Sequence, residues 1–203
     1  MNRKTQIAVV GAGLGGLTVA GFLQRAGFPV TIYEQAPTFS RIGAGIILSA
    51  NATKVLRRLG VNDELTRAGI KAECFVSRAW DTGSTIYEIH FDEASEQRYG
   101  GPYINIHRGD LHDVLAQVVA PKTIAFDHQL VDLRRSNDRY SLRFANGETV
   151  RADIVIGADG IRSMVRDFLL GDGPPRFIGA VGHRAVFPSE RLGGFKIADC
   201  TKW

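Results

Sequence analysis

Residues 6–34 read QIAVVGAGLGGLTVAGFLQRAGFPVTIYE. QIAVV (6–10) is a continuous apolar run, which predicts a short strand buried on both faces. GAGLGG (11–16) follows at once. Leu14, Leu17, Ala20, Phe22 and Leu23 then recur at helical spacing, and Gly27 is placed as a helix stop. PVTIYE (29–34), rich in β-branched residues, predicts a second buried strand. The whole makes one βαβ unit of about 30 residues. Within it Gly11, Gly13 and Gly16 stand in G-x-G-x-x-G register. The first glycine permits a tight turn, the second lets a pyrophosphate approach the backbone, and the third lets helix and strand pack closely. Free N–H groups and the helix dipole favour an anion at the helix start. A glycine-rich turn can arise by chance. The order strand, turn, helix, strand and acid weighs against that here. The acid is Glu34, placed to accept from a ribose 2′-hydroxyl. A 2′-phosphate would meet a like charge there, so the expected nucleotide carries a free ribose.

Downstream, the chain leaves the βαβα alternation that an NAD dehydrogenase would continue. RIGAGIIL (41–48) is apolar and broken by glycine. Helices are predicted over 50–60 and 62–69, the second with Asn62 as N-cap. AECFVSRAW (72–80), a DTG turn and STIYEIHF (84–91) predict a hairpin. YINIHR (103–108) reads as a strand, and 110–120 as a helix stopped by Pro121. TIAF, QLVDLRR and RYSLRFA alternate as strands do. Asn146-Gly147 predicts a tight hairpin turn with ETVRA returning. DIVI (153–156) predicts another buried strand. It runs into GADGIRSMVR (157–166), a second glycine turn, with a helix at SMVRDFLL. GDGPP (171–175) reads as a linker, and GHRAVF (182–187) as the opening of a further strand layer.

The 203 residues carry a formal charge of +4 with both signs interspersed. No basic stripe suited to nucleic acid is present. The apolar N-terminal run, Ile7 to Leu23, could pass for a signal or membrane segment, but five of its 17 residues are glycine. A strand–turn–helix explains it better, and no membrane span is expected. Cys74 and Cys200 lack metal-ligand spacing and form no disulfide framework. No metal site is therefore expected, and a reducing, cytoplasmic setting suits the chain.

Several stretches together resemble the FAD-dependent aromatic hydroxylases, single-component flavoprotein monooxygenases related to p-hydroxybenzoate and salicylate hydroxylases. GAGLGG with YEQ (33–35) resembles the family's FAD adenosine site. RIGAGI (41–46) resembles its segment beside the flavin, IHRGDL (106–111) its Arg-plus-helix element, and GADGIRSMVR its Asp-Gly motif. The likeness runs over essentially the whole chain, in order. It implies an α/β fold: a three-layer, Rossmann-like FAD-binding domain with an incomplete β-rich substrate domain. The FAD-binding segments would be 1–71 and 104–172, and the partial substrate domain 72–103 and 173–203. The family's C-terminal half is absent, which reads as a truncated chain or fragment.

The resemblance implies FAD contacts at Gly11, Gly13, Leu14, Gly15, Gly16, Glu34, Gln35, Arg41, Ala44, Gly45, Arg108, Leu130, Asp159 and Gly160. Plainer roles compete for three of them. Arg108 could be a surface Arg paired with Asp110 or Asp113, Leu130 a core residue, and Asp159 a cap for the helix after it. In one branch of the family a His follows GAGI at a substrate-contacting position. This chain has Ile47, which cannot deprotonate a hydroxyl. Cys200 matches a substrate-pocket position, and His183 would sit on a strand entering the substrate layer, most simply as a buried structural residue. No catalytic base is identified. The implied reaction uses NADH or NADPH to reduce FAD, then O₂ to hydroxylate an activated small aromatic or heteroaromatic ring of the salicylate, hydroxybenzoate or hydroxynicotinate type. A homodimer is compatible with this reading. Two alternatives compete with it. An NAD(P)-dependent Rossmann dehydrogenase would bind nicotinamide without a coloured cofactor. An inactive nucleotide-binding fragment would expose apolar surface and associate.

Overall fold

In the computed structural model, which describes residues 5–40, 43–171, 173–194 and 200–202, the opening apolar run forms strand β1 (Ile7–Val10), buried at every position. Helix α1 (Leu14–Arg25) follows, then β2 (Val30–Tyr33). Gly27 takes φ +83° after the helix, as a stop signal should. The chain divides into two compact units, Met1–Ser40 with Leu115–Val181, and Arg41–Val114 with Gly182–Trp203.

The first unit is built on the βαβ segment. Its later part supplies β8 (Ile124–Ala125), β9 (Leu130–Ser136), β10 (Arg139–Phe144), β11 (Thr149–Ala152), β12 (Ile154–Gly157) and α6 (Met164–Leu170). A parallel sheet runs in the order β12-β1-β2-β8, so the two glycine turns end neighbouring strands. The meander β11-β10-β9 is antiparallel. Gly147 closes its β10–β11 turn at φ +89°, where an L side chain would be strained. Ala8 and Val10 of β1 pack in one cluster with Leu133, Leu142, Phe144 and Val165, so the meander and α6 cover one face of the sheet. Helix α1 packs against β1 and β2, and the alternate residue Val9 is also fully buried. Helix, parallel sheet and meander thus form three layers. Burial on both faces is why IAVV reads as an unbroken apolar run. The edge strand β12, expected to be buried, is instead exposed at Ile154 and Gly157 and half-buried between them.

The second unit contains β3 (Gly45–Leu48), α2 (Ala50–Arg58), α3 (Asn62–Ala68), β4 (Gly69–Lys71), β5 (Cys74–Arg78), β6 (Thr85–His90), α4 (Glu93–Tyr99), β7 (Ile104–His107), α5 (Arg108–Ala116) and β13 (Cys200–Lys202). One sheet runs β3-β7-β4 and the other β13-β5-β6. The predicted hairpin is β5–β6, with β13 added in parallel on the other side of β5. Every residue of the outer strand β6 is exposed.

Three further expectations are corrected. The N-cap of α3 is Val61, and Asn62 is its first helical residue. Helix α5 ends at Ala116, four residues short of its expected end. Residues 182–187 form no strand and are exposed. An apolar alternation becomes a strand only where a neighbour takes its backbone groups, and 182–187 has none among the described residues.

Candidate FAD-binding and substrate-facing sites

In the first unit the two glycine turns meet. Val10 pairs with Gly157 at the strand ends, and the Ala158 N–H donates to the Val10 carbonyl at 2.8 Å. Gly11 has φ +97°, and a Cβ on it would lie 2.4 Å from the Ala158 carbonyl oxygen. A Cβ on Gly16 would lie 1.9 Å from the Gly11 carbonyl oxygen. Both glycines are therefore required by backbone packing. Gly13 differs. It is the N-cap of α1 in extended conformation, and a Cβ there meets nothing within 4 Å. The α1 start has no side-chain cap and no acid in its first turn. Leu14 is half-buried and Gly15 exposed at this opening. An uncapped helix N-terminus beside open space is suited to a phosphate.

Glu34 does more than its position at the end of β2 implies. One carboxylate oxygen accepts from the Ala12 N–H at 2.8 Å and the other from the Ala36 N–H at 2.9 Å. It therefore holds the glycine turn while each oxygen keeps a lone pair for a hydroxyl. Gln35 beside it is exposed. Ser163 is the N-cap of α6, accepting from the Arg166 N–H, and Asp159 supports this start: it accepts from the Ser163 hydroxyl at 2.6 Å and from the Val165 N–H at 3.2 Å. Gly160, at φ +80°, leaves the turn open. The Leu130 side chain is buried in the core cluster, so only its backbone is available to a ligand.

The second unit gathers other expected residues. Gly43 lies against Arg108, with a notional Cβ 3.0 Å from the Arg108 Cβ, and the Arg108 N–H donates to the Ala44 carbonyl at 3.0 Å. Gly45 pairs with His107 in register. His107, which the sequence reading passed over, clamps this region. Its Nδ1 accepts from the Gly109 N–H at 3.1 Å, which leaves Nε2 to donate to the Gly43 carbonyl at 3.2 Å. Arg41 lies outside the described residues.

The sheet β3-β7-β4 presents an open face. Ile47, Asn105 and Ile70 are cross-strand neighbours on it, and Ile47 is 53% exposed. The Asn105 amide donates to the Cys200 sulfur at 2.9 Å, which brings Cys200 and Ile47 to the same residue. Burial pushes the Tyr103 phenol above its ordinary value, and nearby Cys200 adds to the rise. His183 is exposed and lies in no strand, so it is not the buried residue expected.

The comparison with family models decides the assignment: residues 4–171 match the model described as "FAD binding domain". The chain belongs to this FAD-binding family. Among curated relatives, 6-hydroxynicotinate 3-monooxygenase of Bordetella bronchiseptica is 43% identical over 100% of this chain and 53% of its own length. The enzyme of the same name from Pseudomonas fluorescens is 40% identical over 100% of this chain and 53% of its own length. The chain thus spans about half the length of the curated relatives it matches. Among solved structures, Klebsiella pneumoniae HpxO complexed with FAD and uric acid superposes with TM-score 0.77 at 24% identity, over 85% of this chain and 43% of that one. It shares the fold. A 2,6-dihydroxypyridine-3-hydroxylase from Arthrobacter nicotinovorans gives TM-score 0.71 at 28% identity, over 87% of this chain and 42% of that one. The FAD-binding family sets the dehydrogenase reading aside. No helix among the described residues is long and apolar enough to cross a membrane.

Proposed function

We propose that this chain carries the cofactor-holding part of an NAD(P)H-using flavoprotein monooxygenase that hydroxylates an activated aromatic or heteroaromatic ring. The observation that carries the reading is the meeting of the two glycine turns beside an uncapped α1, with Glu34 bridging from the end of β2. In it, the α1 start and the open side of Gly13 receive the pyrophosphate, and Glu34 takes the ribose hydroxyls. Asp159 holds the second turn in place through α6, while Gly160 leaves it without a side chain. Bound FAD would supply the electron transfer and oxygen chemistry.

The relatives support the ring substrate, because those named above include 6-hydroxynicotinate 3-monooxygenases and a 2,6-dihydroxypyridine-3-hydroxylase. A further relative from Streptomyces platensis, 39% identical over 94% of this chain and 48% of its own length, is a 3-amino-4-hydroxybenzoate 2-monooxygenase. On the open face of β3-β7-β4, Ile47 and Ile70 offer apolar surface to a ring and Asn105 with Cys200 a polar edge. Ile47 exchanges no proton. Tyr103, whose phenol is protonated at neutral pH and whose pKa is raised further by burial, is a donor there.

The test is to load the purified chain with FAD, desalt it, and measure retained flavin absorbance. NADH and NADPH oxidation is then followed with 6-hydroxynicotinate and with 3-amino-4-hydroxybenzoate. Retained flavin is expected, and ring-dependent oxidation on top of it would show that the chain turns over alone. A colourless, unloadable protein overturns the reading.

A further inference from the structure

We infer that Cys74, Glu88 and His90 form a zinc(II)-binding site on the β5–β6 hairpin. Cys74 stands directly across from His90 in the antiparallel register. Glu88 lies two residues before His90 on β6, so all three side chains share one face of the hairpin. One ligand atom from each lies within 4.8 Å of the others. Cys74 is buried, while the Glu88 and His90 side chains are 44% and 68% exposed. The thiol therefore forms a floor, and the carboxylate and imidazole a rim open to solvent.

The distances suit zinc. Nitrogen and oxygen donors about 2.0–2.2 Å from one tetrahedral zinc lie roughly 3.3–3.6 Å apart. His90 Nε2 and Glu88 Oε2 are 3.6 Å apart. A thiolate at about 2.3 Å from the metal would sit roughly 3.5–3.7 Å from each, so the widest gap closes by about 1 Å on binding. Side-chain rotation on the exposed rim can supply that movement. A sulfur, an imidazole and a carboxylate together favour zinc over magnesium or calcium, which take oxygen ligands. Three protein ligands leave a fourth position for water.

The surroundings favour a cation as well. A cleft of about 460 Å³ opens beside His90, lined by Glu73, Asp92 and Glu93 with Lys71 as its one cation. Lys71 is already ion-paired with Glu96. Carboxylates lining a concave surface raise the local concentration of metal ions. The two-strand origin of the ligands explains why cysteine spacing alone gives no sign of the site.

The test is metal titration of the chelator-treated chain, by calorimetry with ZnCl₂ and by absorbance with CoCl₂ as a spectroscopic substitute. One ion per chain is expected, with a thiolate-to-cobalt charge-transfer band. Uptake displaces the thiol proton, so affinity weakens as pH falls. Cys74→Ser abolishes the band. Losing even an outer-shell partner costs roughly 10–100-fold in metal affinity, so His90→Ala and Glu88→Gln lose at least that much. Both are rim changes that leave the buried hairpin floor intact. Cys200→Ser leaves the cobalt band and the metal affinity unchanged. A plain Glu88–His90 surface pair predicts no saturable uptake, and that result overturns the site. So does a band that survives Cys74→Ser but vanishes with Cys200→Ser, or affinity indifferent to His90→Ala and Glu88→Gln.

Discussion

Gly13 and Gly16 belong to one motif, yet their surroundings predict opposite consequences for the same change to Ala. At Gly16 the new Cβ would stand 1.9 Å from the Gly11 carbonyl oxygen, where ordinary contact begins near 3.4 Å. The oxygen is backbone and the position of the Cβ is fixed by backbone, so no rotamer relieves the overlap, and α1 must shift from the turn. Overpacking costs about 1–3 kcal/mol, occasionally more, and a backbone clash of this size sits at the upper end. For a domain of this size each kcal/mol lowers Tm by about 2–4 °C, which gives a fall of roughly 6–12 °C. At Gly13 the Cβ meets nothing within 4 Å, and the residue is extended at φ −72°, ψ −177°. The change there costs at most about 1 kcal/mol as a poorer N-cap, under about 4 °C in Tm. The methyl would instead occupy the approach of the pyrophosphate. A comparable overpacking of about 1–3 kcal/mol in the complex weakens FAD binding roughly 5- to 150-fold. Thermal unfolding without cofactor and flavin-fluorescence titration separate the two effects. Gly13→Ala binding FAD as tightly as the parent would refute the phosphate placement. Gly16→Ala with an unchanged Tm would refute the packing argument.

Glu34→Gln sets an amide N–H₂ against one of two backbone donors, Ala12 or Ala36. Leaving such a donor unsatisfied costs about 1–3 kcal/mol, to be seen as lower Tm together with weaker FAD retention. Asp159→Ala removes the acceptor for Ser163 and Val165 at the start of α6. Loss of a cap costs about 0.5–2 kcal/mol in denaturant unfolding. Tyr33 has its phenol raised above 10.0, chiefly by burial, with Glu148 adding to the rise and a hydrogen bond from Thr31 opposing it. The folded state then holds that proton after the unfolded state has released it. The associated stability is complete below pH 10.0 and is lost as pH rises through the higher folded value. Tyr33→Phe should flatten this part of the alkaline unfolding profile.

Residues 6–34 announced their structure because each local signal agreed with the fold around it. A continuous apolar run, a glycine turn, a 3.6-residue period and a second β-branched run leave little choice. The meander was legible through alternation and Asn146-Gly147. Helix α4 was not, because it buries no residue and so has no apolar period. Only its Asp92 cap and the left-handed Gly100 at φ 87° mark its ends. Strand β4 is three residues long and pairs with the non-sequential β7, which no local pattern records. The binding turn was readable as a motif, but the grip of Glu34 on Ala12 was not, since it depends on how two strand ends converge. His107 escaped for a similar reason: its clamp joins a loop 64 residues away to the start of α5. Residues 182–187 misled by having strand-like composition without a strand to pair with among the described residues.

The double grip of Glu34 has a consequence for how the protein meets its cofactor. A glycine-rich turn is normally the most entropically costly piece of backbone to order. Here a carboxylate of the chain itself tethers it at Ala12. The ordering cost is thus borne during folding and does not subtract from binding affinity. The Ala12 amide should be slow to exchange its hydrogen even in the cofactor-free protein. Association should then resemble the docking of a rigid ligand on a rigid cradle, with little of the loop closure that an untethered glycine turn would require.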